Sequence, residues 1–575
     1  MELTESLIAA FQEKAHIPPV PLAGMVRAAG NDAIAFAQSV ILDGYLDRDS
    51  AGELIASLTN HTYVNLSKTL FQDEVVFLLT GEVAQRYQAI PIYQMGKVVT
   101  VGMVAPDDPL VVTALEKLLM KPVSPVFCFR DEVESAIKVN YQSTQHVDVL
   151  VTSFDLKIFQ SGQLSQPALE KLLDSKPLVN LGDSIILLAL KERASDIHIE
   201  PKRNEVVVRF RIDGDLVDRL FLPMEMAMPL ASRYKISAGM DITERRKPQD
   251  GRLSFVLPMK TLDLRVSSLP VMYGEKVVMR ILGSLYTSAI LNLDKLDFSP
   301  EVLRPLKATL KLSQGILFVT GPTGSGKSTT LYAALNFINT RDVNIITIED
   351  PIEYDLPTLN QVAVNDKVGR GFQEVLRAVL RQDPDVILVG EIRDAETARI
   401  AAQAALTGHQ VLTTLHTNNA IQATTRLQEM GVERFIVAPA IIGVLGQRLV
   451  KRLCDYCKTE HHPEPDELRQ YFHWRNDAEL PVFFKATGCE HCGGRGYSGR
   501  IGIHEFLRIT PQIREAIMRD RNFDEILGIA IQQGFQFLRY DGFKKALRGL
   551  TSLDEVVRAT ASPEEKPASF SQPTR

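Results

Sequence analysis

Residues 315–328 read GILFVTGPTGSGKS, six residues of strand character followed by a glycine-rich turn that closes on a lysine. Gly321, Gly326, Lys327 and Ser328 fit the pattern GxxxxGK[ST]. In that pattern the glycines let backbone N–H groups close around an anion where a Cβ would stand in the way. Lys327 is placed to neutralise the β- and γ-phosphates of a nucleoside triphosphate, and the Ser328 hydroxyl to ligate Mg²⁺. A helix opening at Ser328 points its positive end at the same place. The expected cradle is Gly321, Pro322, Thr323, Gly324, Ser325, Gly326, Lys327, Ser328 and Thr329. A strand before and a helix after distinguish it from an ordinary glycine turn.

From about 298 to 450, further apolar runs alternate with helical stretches: IITIED, DVILVGE and QVLTTLH. That order predicts a parallel sheet with helical crossovers. Three of these strands end in polar residues, where an open α/β sheet places its ligand. They are Glu349, Asp350 and Glu353; Gly390 and Glu391; and His416, with His409 just ahead of its strand. Triphosphate hydrolysis needs Mg²⁺, a carboxylate to orient water and a group that senses the γ-phosphate. Gly390 has no side chain to offer, so the outer shell of the metal falls to Asp350 and Glu391. Chemistry alone does not separate Glu353 from Glu349 as the water-activating group. Any one of these acids could instead cap a helix or pair on the surface. Four polar clusters at four strand ends of one sheet argue for a collective role.

At 575 residues the chain is too long for one core and divides into several domains. A hydrophobic content of 45% with 23% charged residues is that of a globular protein, and a net charge of −6 opposes a protein that coats nucleic acid through bulk positive charge. No run reaches the length of a membrane span, and MELTESLIAAFQEK lacks the basic-then-apolar order of an export signal. A cytosolic protein is expected, with membrane contact only through a partner. Changes of pattern divide the chain at 1–145 (helical spacing, then AIPIYQMG, KVVTVGMV and VVTALEKLLM) and at a polar linker, 146–178, carrying a short helix. A strongly alternating region follows, in which EVVVRFRIDGDLVDRLF reads as a hairpin and LDLRVSSLP and EKVVMRIL as further strands. Helical segments run to about 560, and the tail 561–575 reads as disordered.

Within 451–503, Cys454 and Cys457 (CDYC) and Cys489 and Cys492 (CEHC) make two knuckles. Four thiolates close a tetrahedron around Zn²⁺, and a closed sulfur site is structural because no position is left for water. Four buried or redox cysteines are the alternative. Cys128 stands alone and is expected to be buried. His461, His462 and His491 lie nearby but are not expected as ligands.

GPTGSGKSTT, TIEDPIEY, LRQDPDVILVGEIRD and TGHQVLTTLHTN resemble the four nucleotide-site motifs of the secretion and type IV pilus ATPases. SDIHIEP, RFRIDG, RKPQDGR and GEKVVMRIL are similar to the domain preceding the motor in that family, and FLRYDGFKKALRGLTSLDEVVR to its C-terminal end. The resemblance is dense over roughly 180–560. It implies an α/β architecture: a RecA-like P-loop motor domain (298–560) holding the zinc module, a PAS-like α+β domain (179–297) before it, and a small N-terminal α/β docking domain. It implies a homo-hexamer that hydrolyses ATP with Mg²⁺, gives the water-activating role to Glu353 and pairs His409 with His416. Motors of this class set arginines of one subunit against a neighbour's phosphates, and Arg209 and Arg211 are the nearest candidates. Both fall on one face of their strand with Phe210 opposite, though plain surface positions or ion pairs fit them equally. The implied partner is an inner-membrane platform protein, with no direct nucleic acid. The implied task is extending a type IV pilus, with type II secretion as the alternative and a nucleic-acid motor as a more distant one. The N-terminal region shows no RLG-type motif of the kind that binds a cyclic dinucleotide.

Overall fold

The computed structural model describes residues 3–59, 61–69, 71–142, 175–258, 261–282, 292–356, 358–365, 368–464, 468 and 481–560. It divides into two compact units, Met1–Tyr286 and Thr287–Arg575. Most of the expected linker (146–174) and the tail 561–575 lie outside the described residues. Among the described residues, no helix is long and apolar enough to cross a membrane.

The first unit opens with helices, then a sheet of β1 (Ala89–Met95), β2 (Val98–Met103) and β3 (Val123–Phe127), antiparallel then parallel. The crossover from β2 to β3 is the helix Pro109–Leu119, where VVTALEKLLM has its helical spacing. Phe11, Phe36, Ile92 and Phe127 anchor the core. Cys128 is buried there, and burial pushes its thiol well above the usual range.

The same unit carries a second, antiparallel sheet: β4 (Asp196–Pro201), β5 (Glu205–Ile212), β6 (Asp215–Pro223), β7 (Gln249–Val256), β8 (Thr261–Val271) and β9 (Gly274–Leu282), in the order β6-β5-β4-β9-β8-β7. Period-2 alternation sends Phe210, Leu264, Val266 and Met279 onto the helices Lys176–Lys191 and Ala227–Ser237. The opposite face is charged.

The second unit is built on a seven-stranded sheet, order β12-β11-β13-β14-β10-β15-β18. Its members are β10 (Gly315–Thr320), β11 (Ile345–Glu349), β12 (Asn360–Ala363), β13 (Val386–Val389), β14 (Gln410–Leu415), β15 (Ile441–Leu453) and β18 (Tyr497–Arg508). All neighbours are parallel except β15 and β18. Helices cover both faces. Ile316 and Phe318 of β10 point into one core, and Leu317 and Val319 into the other. One feature departs from the sequence reading. The edge strand β12 is short and half polar, so it gave no apolar signal.

The cysteine module lies between β15 and β18 and contains a small pair, β16 (Thr459–His461) and β17 (Phe483–Lys485). It is narrower than 451–503, because 451–453 and 497–503 are main-sheet strand.

Candidate active site

The cradle joins β10 to the helix Lys327–Ile338, with Gly326 as the residue that starts it. Gly321 has φ 148° and Gly326 φ 85°, backbone that side chains rarely adopt. Space is equally restrictive: a Cβ on Gly321 would lie 2.3 Å from the Gln447 carbonyl oxygen, and one on Gly326 2.8 Å from Gln447 Nε2. Gln447, on β15, was not foreseen from sequence. Its Nε2 donates to the Ser325 carbonyl at 2.8 Å and its Oε1 accepts from the Thr330 hydroxyl at 2.7 Å. A buried amide thus pins the turn from the neighbouring strand, across 122 residues of sequence. Pro322, Thr323, Gly324 and Ser328 are exposed at the lip. Ser325 Oγ is buried with no hydrogen-bond partner among the described residues. Lys327 Nζ donates to the carbonyls of Gly321 (2.9 Å) and Pro322 (3.0 Å). Burial lowers its pKa from the ordinary lysine value, and the charge of Glu391 opposes that.

At the end of β11, Glu349 and Glu353 differ in surroundings. Glu349 is buried and accepts from the hydroxyls of Tyr332 and Thr347 and from the Gln361 amide. Glu353 lies on the half-buried loop beyond, its backbone N–H bonded to Tyr332 Oη at 3.3 Å. Asp350 is exposed, just before a cis bond to Pro351. After β13, Gly390 donates to the Ile348 carbonyl at 2.8 Å and accepts from the Thr414 hydroxyl at 2.8 Å. A Cβ there would sit 3.2 Å from Ile348 O, which is tight for any side chain. Glu391 follows, paired with Arg393 and 3.4 Å from His416 Nε2. Asp394 caps the helix Ala395–Leu406 through the Thr397 N–H at 2.8 Å, a contact worth about 1 kcal/mol.

His409 has to be separated from His416. β14 is parallel to β10 and pairs Gln410 with Gly315 and Leu415 with Thr320. His416 therefore stands at the cradle end of the sheet and His409 at the opposite end, roughly 20 Å away along the strand. The His409 ring instead bonds the Ala404 carbonyl at 2.9 Å. Expecting both at one phosphate site is corrected by the strand between them.

In the first unit, Arg209 and Arg211 share a face of β5 with Phe210 buried opposite. Arg209 donates to Asp218 at 2.7 Å and Arg211 to the Gly214 carbonyl at 2.9 Å. Strand register reveals more. Arg252, Arg265, Arg280, Asp196 and Arg211 stand opposite one another across β7, β8, β9, β4 and β5. Arg280 pairs with Asp196 at 2.9 Å, while Arg252 and Arg265 have no ion-pair partner among the described residues. Adjacent like charges in register are unfavourable, so the row fits an anion. Only the register of five strands discloses it.

The sulfurs of Cys454, Cys457, Cys489 and Cys492 all lie within 4.8 Å of one another, with three of the separations at 3.8 Å. A tetrahedron of Zn–S bonds of about 2.3 Å has edges of about 3.8 Å. Cys492 Sγ accepts from the N–H groups of Cys489 (3.2 Å) and Gly496 (3.1 Å). Burial would raise this thiol, but those bonds bring it down to about 7. His491 stacks on Tyr456 and is outside the cluster.

The family described as Type II/IV secretion system protein matches residues 171–558, spanning both the arginine row and the cradle. The chain belongs to that family. A second description, MshEN domain, matches 61–147. The chain is 40% identical to the type IV pilus assembly ATPase PilB of Pseudomonas aeruginosa over 84% of its length and 85% of that protein. It is 40% identical to PilB of Thermus thermophilus over 91% of its length, but spans only 58% of that longer relative. It is 46% identical to type II secretion system protein E of Klebsiella pneumoniae over 69% of its length. Among solved structures, the ATPase DotB of Yersinia pseudotuberculosis is similar in fold, with TM-score 0.51 at 21% identity over 66% of this chain and 93% of that one.

Proposed function

We propose that this chain is an ATP-hydrolysing motor that drives assembly of a type IV pilus. One observation carries the choice of pilus over secretion. The pilus-assembly relatives align over 84–91% of the chain, whereas the type II secretion relatives align over 67–75%. The likeness to the former thus extends further into the N-terminal region. Type II secretion stays as the second reading because its relatives reach 46% identity within the shared part.

The residues fit a bound nucleotide. Gly321 and Gly326 leave a cradle that side chains would fill, and Lys327, Ser325 and the start of a helix face it. Mg²⁺, when bound, draws charge off the phosphates, with Ser328 as its ligand and Asp350 and Glu391 in its outer shell. Glu353 is the better water-activating carboxylate, because Glu349 is already engaged by three donors. Glu391 orients His416 as the phosphate sensor. Arg209, Arg211 and the row Arg252, Arg265 and Arg280 form a cationic face suited to phosphates of another subunit in a homo-hexamer. The four-cysteine cluster holds a structural Zn²⁺. The N-terminal domain, up to about 145, docks the motor on a platform protein at the cytoplasmic face of the inner membrane.

The test is a gene deletion complemented with the wild-type or the Lys327→Ala chain. Surface pili should vanish and return only with the wild type. Intact pili with lost export of secreted enzymes would transfer the assignment to type II secretion.

A further inference from the structure

Tyr332 sits in the middle of the helix that leaves the cradle, and its ring is buried. Its hydroxyl faces two ways: it donates to the Glu349 carboxylate and accepts the Glu353 backbone N–H at 3.3 Å. Glu349 also receives the Thr347 hydroxyl at 2.6 Å and the Gln361 amide at 3.1 Å. Gln361, on the edge strand β12, donates to the Tyr354 carbonyl at 3.0 Å and accepts the Leu356 N–H at 2.7 Å. The Tyr354 ring packs edge-on against Tyr332 with centroids 5.1 Å apart, and its hydroxyl is bonded to Thr329. The segment carrying Glu353 is thereby gripped from the cradle helix on one side and from β12 on the other.

We propose that Tyr332 is a positioning residue for hydrolysis, its hydroxyl locking the Glu353 loop to the helix that carries Lys327 and Ser328. The proposal rests on reading Glu353 as the water-activating group. A loop carboxylate has no regular hydrogen-bond ladder of its own, and a misplacement of about 1 Å can cost on the order of 100-fold in rate. Tying the Glu353 backbone to the cradle helix makes the carboxylate and the phosphate grip move as one body. Glu349 then serves as the buried anchor that orients the Tyr332 hydroxyl, with no part in attacking water.

The test uses the full chain, steady-state ATPase kinetics and equilibrium binding of a fluorescent ATP analogue. Tyr332→Phe keeps the ring and its packing and should lower kcat about tenfold while leaving nucleotide affinity within about twofold. A kcat within about twofold of wild type, or equal losses in kcat and affinity, overturns the positioning role. Should that variant not fold, Gln361→Ala loosens the same loop from the half-exposed edge strand. It should show the same split with a loss of about threefold, and an unchanged kcat there also overturns the role. Glu353→Gln separates this proposal from its foundation and should cost at least about 100-fold in kcat. Wild-type turnover in that variant removes the base assignment and the positioning role with it. A dead Glu353→Gln beside a normal Tyr332→Phe overturns the positioning role alone.

Discussion

In the seven-stranded sheet every residue of β10, β11, β13 and β14 is buried, whereas in the six-stranded sheet β7 and β8 bury mainly alternate positions. The contrast follows from connectivity. Parallel strands need crossover helices, which cover both faces and leave polar groups only at the strand ends. Antiparallel strands turn back through hairpins, so one face stays open and can carry charge along its whole length. The cradle, Glu353, Glu391 and His416 accordingly stand at strand ends, and the arginine row stands on a sheet face. The sharpest way to break this division is Lys327→Ala. It should reduce phosphate release by at least about 100-fold and leave the melting temperature within about 2 °C, since among the described residues Lys327 Nζ bonds only loop carbonyls. A large drop in melting temperature would mean that the strand-end site also builds the fold.

The cysteine module is a third case, a hairpin excursion between β15 and β18 too small to bury much of a core of its own. Cys489→Ser should cut zinc from about one per chain to below about 0.2 and lower the melting temperature by at least about 5 °C, read by metal analysis and thermal melting. A zinc-free wild type that melts normally would give the cluster another role. The face prediction is smaller and has two opposed signs. Arg265 stands between Arg252 and Arg280 in register. Arg265→Thr should lower kcat about tenfold yet hold or raise the melting temperature by about 1 °C, because like charges are relieved and a strand-favouring residue enters.

Legibility in the sequence follows the same division. Both-face burial writes parallel strands as unbroken apolar runs, so GILFVT, IITIED, DVILVGE and QVLTTLH showed the sheet and the places where its polar ends had to be. The edge strand β12, with only NQVA to show, carries no such run and surfaced only in the structure. Nothing in the sequence pointed to Gln447; only β15 laid beside β10 brings it against Ser325. His409 was misjudged because adjacency to a strand in sequence does not say at which end of the sheet the residue emerges. The row Arg252, Arg265 and Arg280 is divided among three strands and exists only once the register is known, whereas Arg209 and Arg211 were found because they share one strand.

The smallest effect bears on what the charged face contributes to stability. Glu200, on β4, accepts from Lys202 and Lys276, each at 2.8 Å, with Arg209 at 3.7 Å. Burial alone would raise its pKa, but the two lysines outweigh that and hold the carboxyl at about 2, below its ordinary 4.5. A carboxylate with a depressed folded-state pKa contributes stability that is complete above the unfolded value and is lost as pH falls through the folded value. Glu200→Gln should therefore be less stable than wild type by about 1–2 kcal/mol at pH 7, discounted for the half-exposed lysines. The gap should narrow below about pH 4.5 and close near about pH 2, followed by urea unfolding of the two proteins across that range. A difference that stays constant with pH would show that Glu200 acts through shape and neutral hydrogen bonds. The open face would then owe its stability to the apolar side beneath it, and its charges would be free for the proposed contact with phosphates.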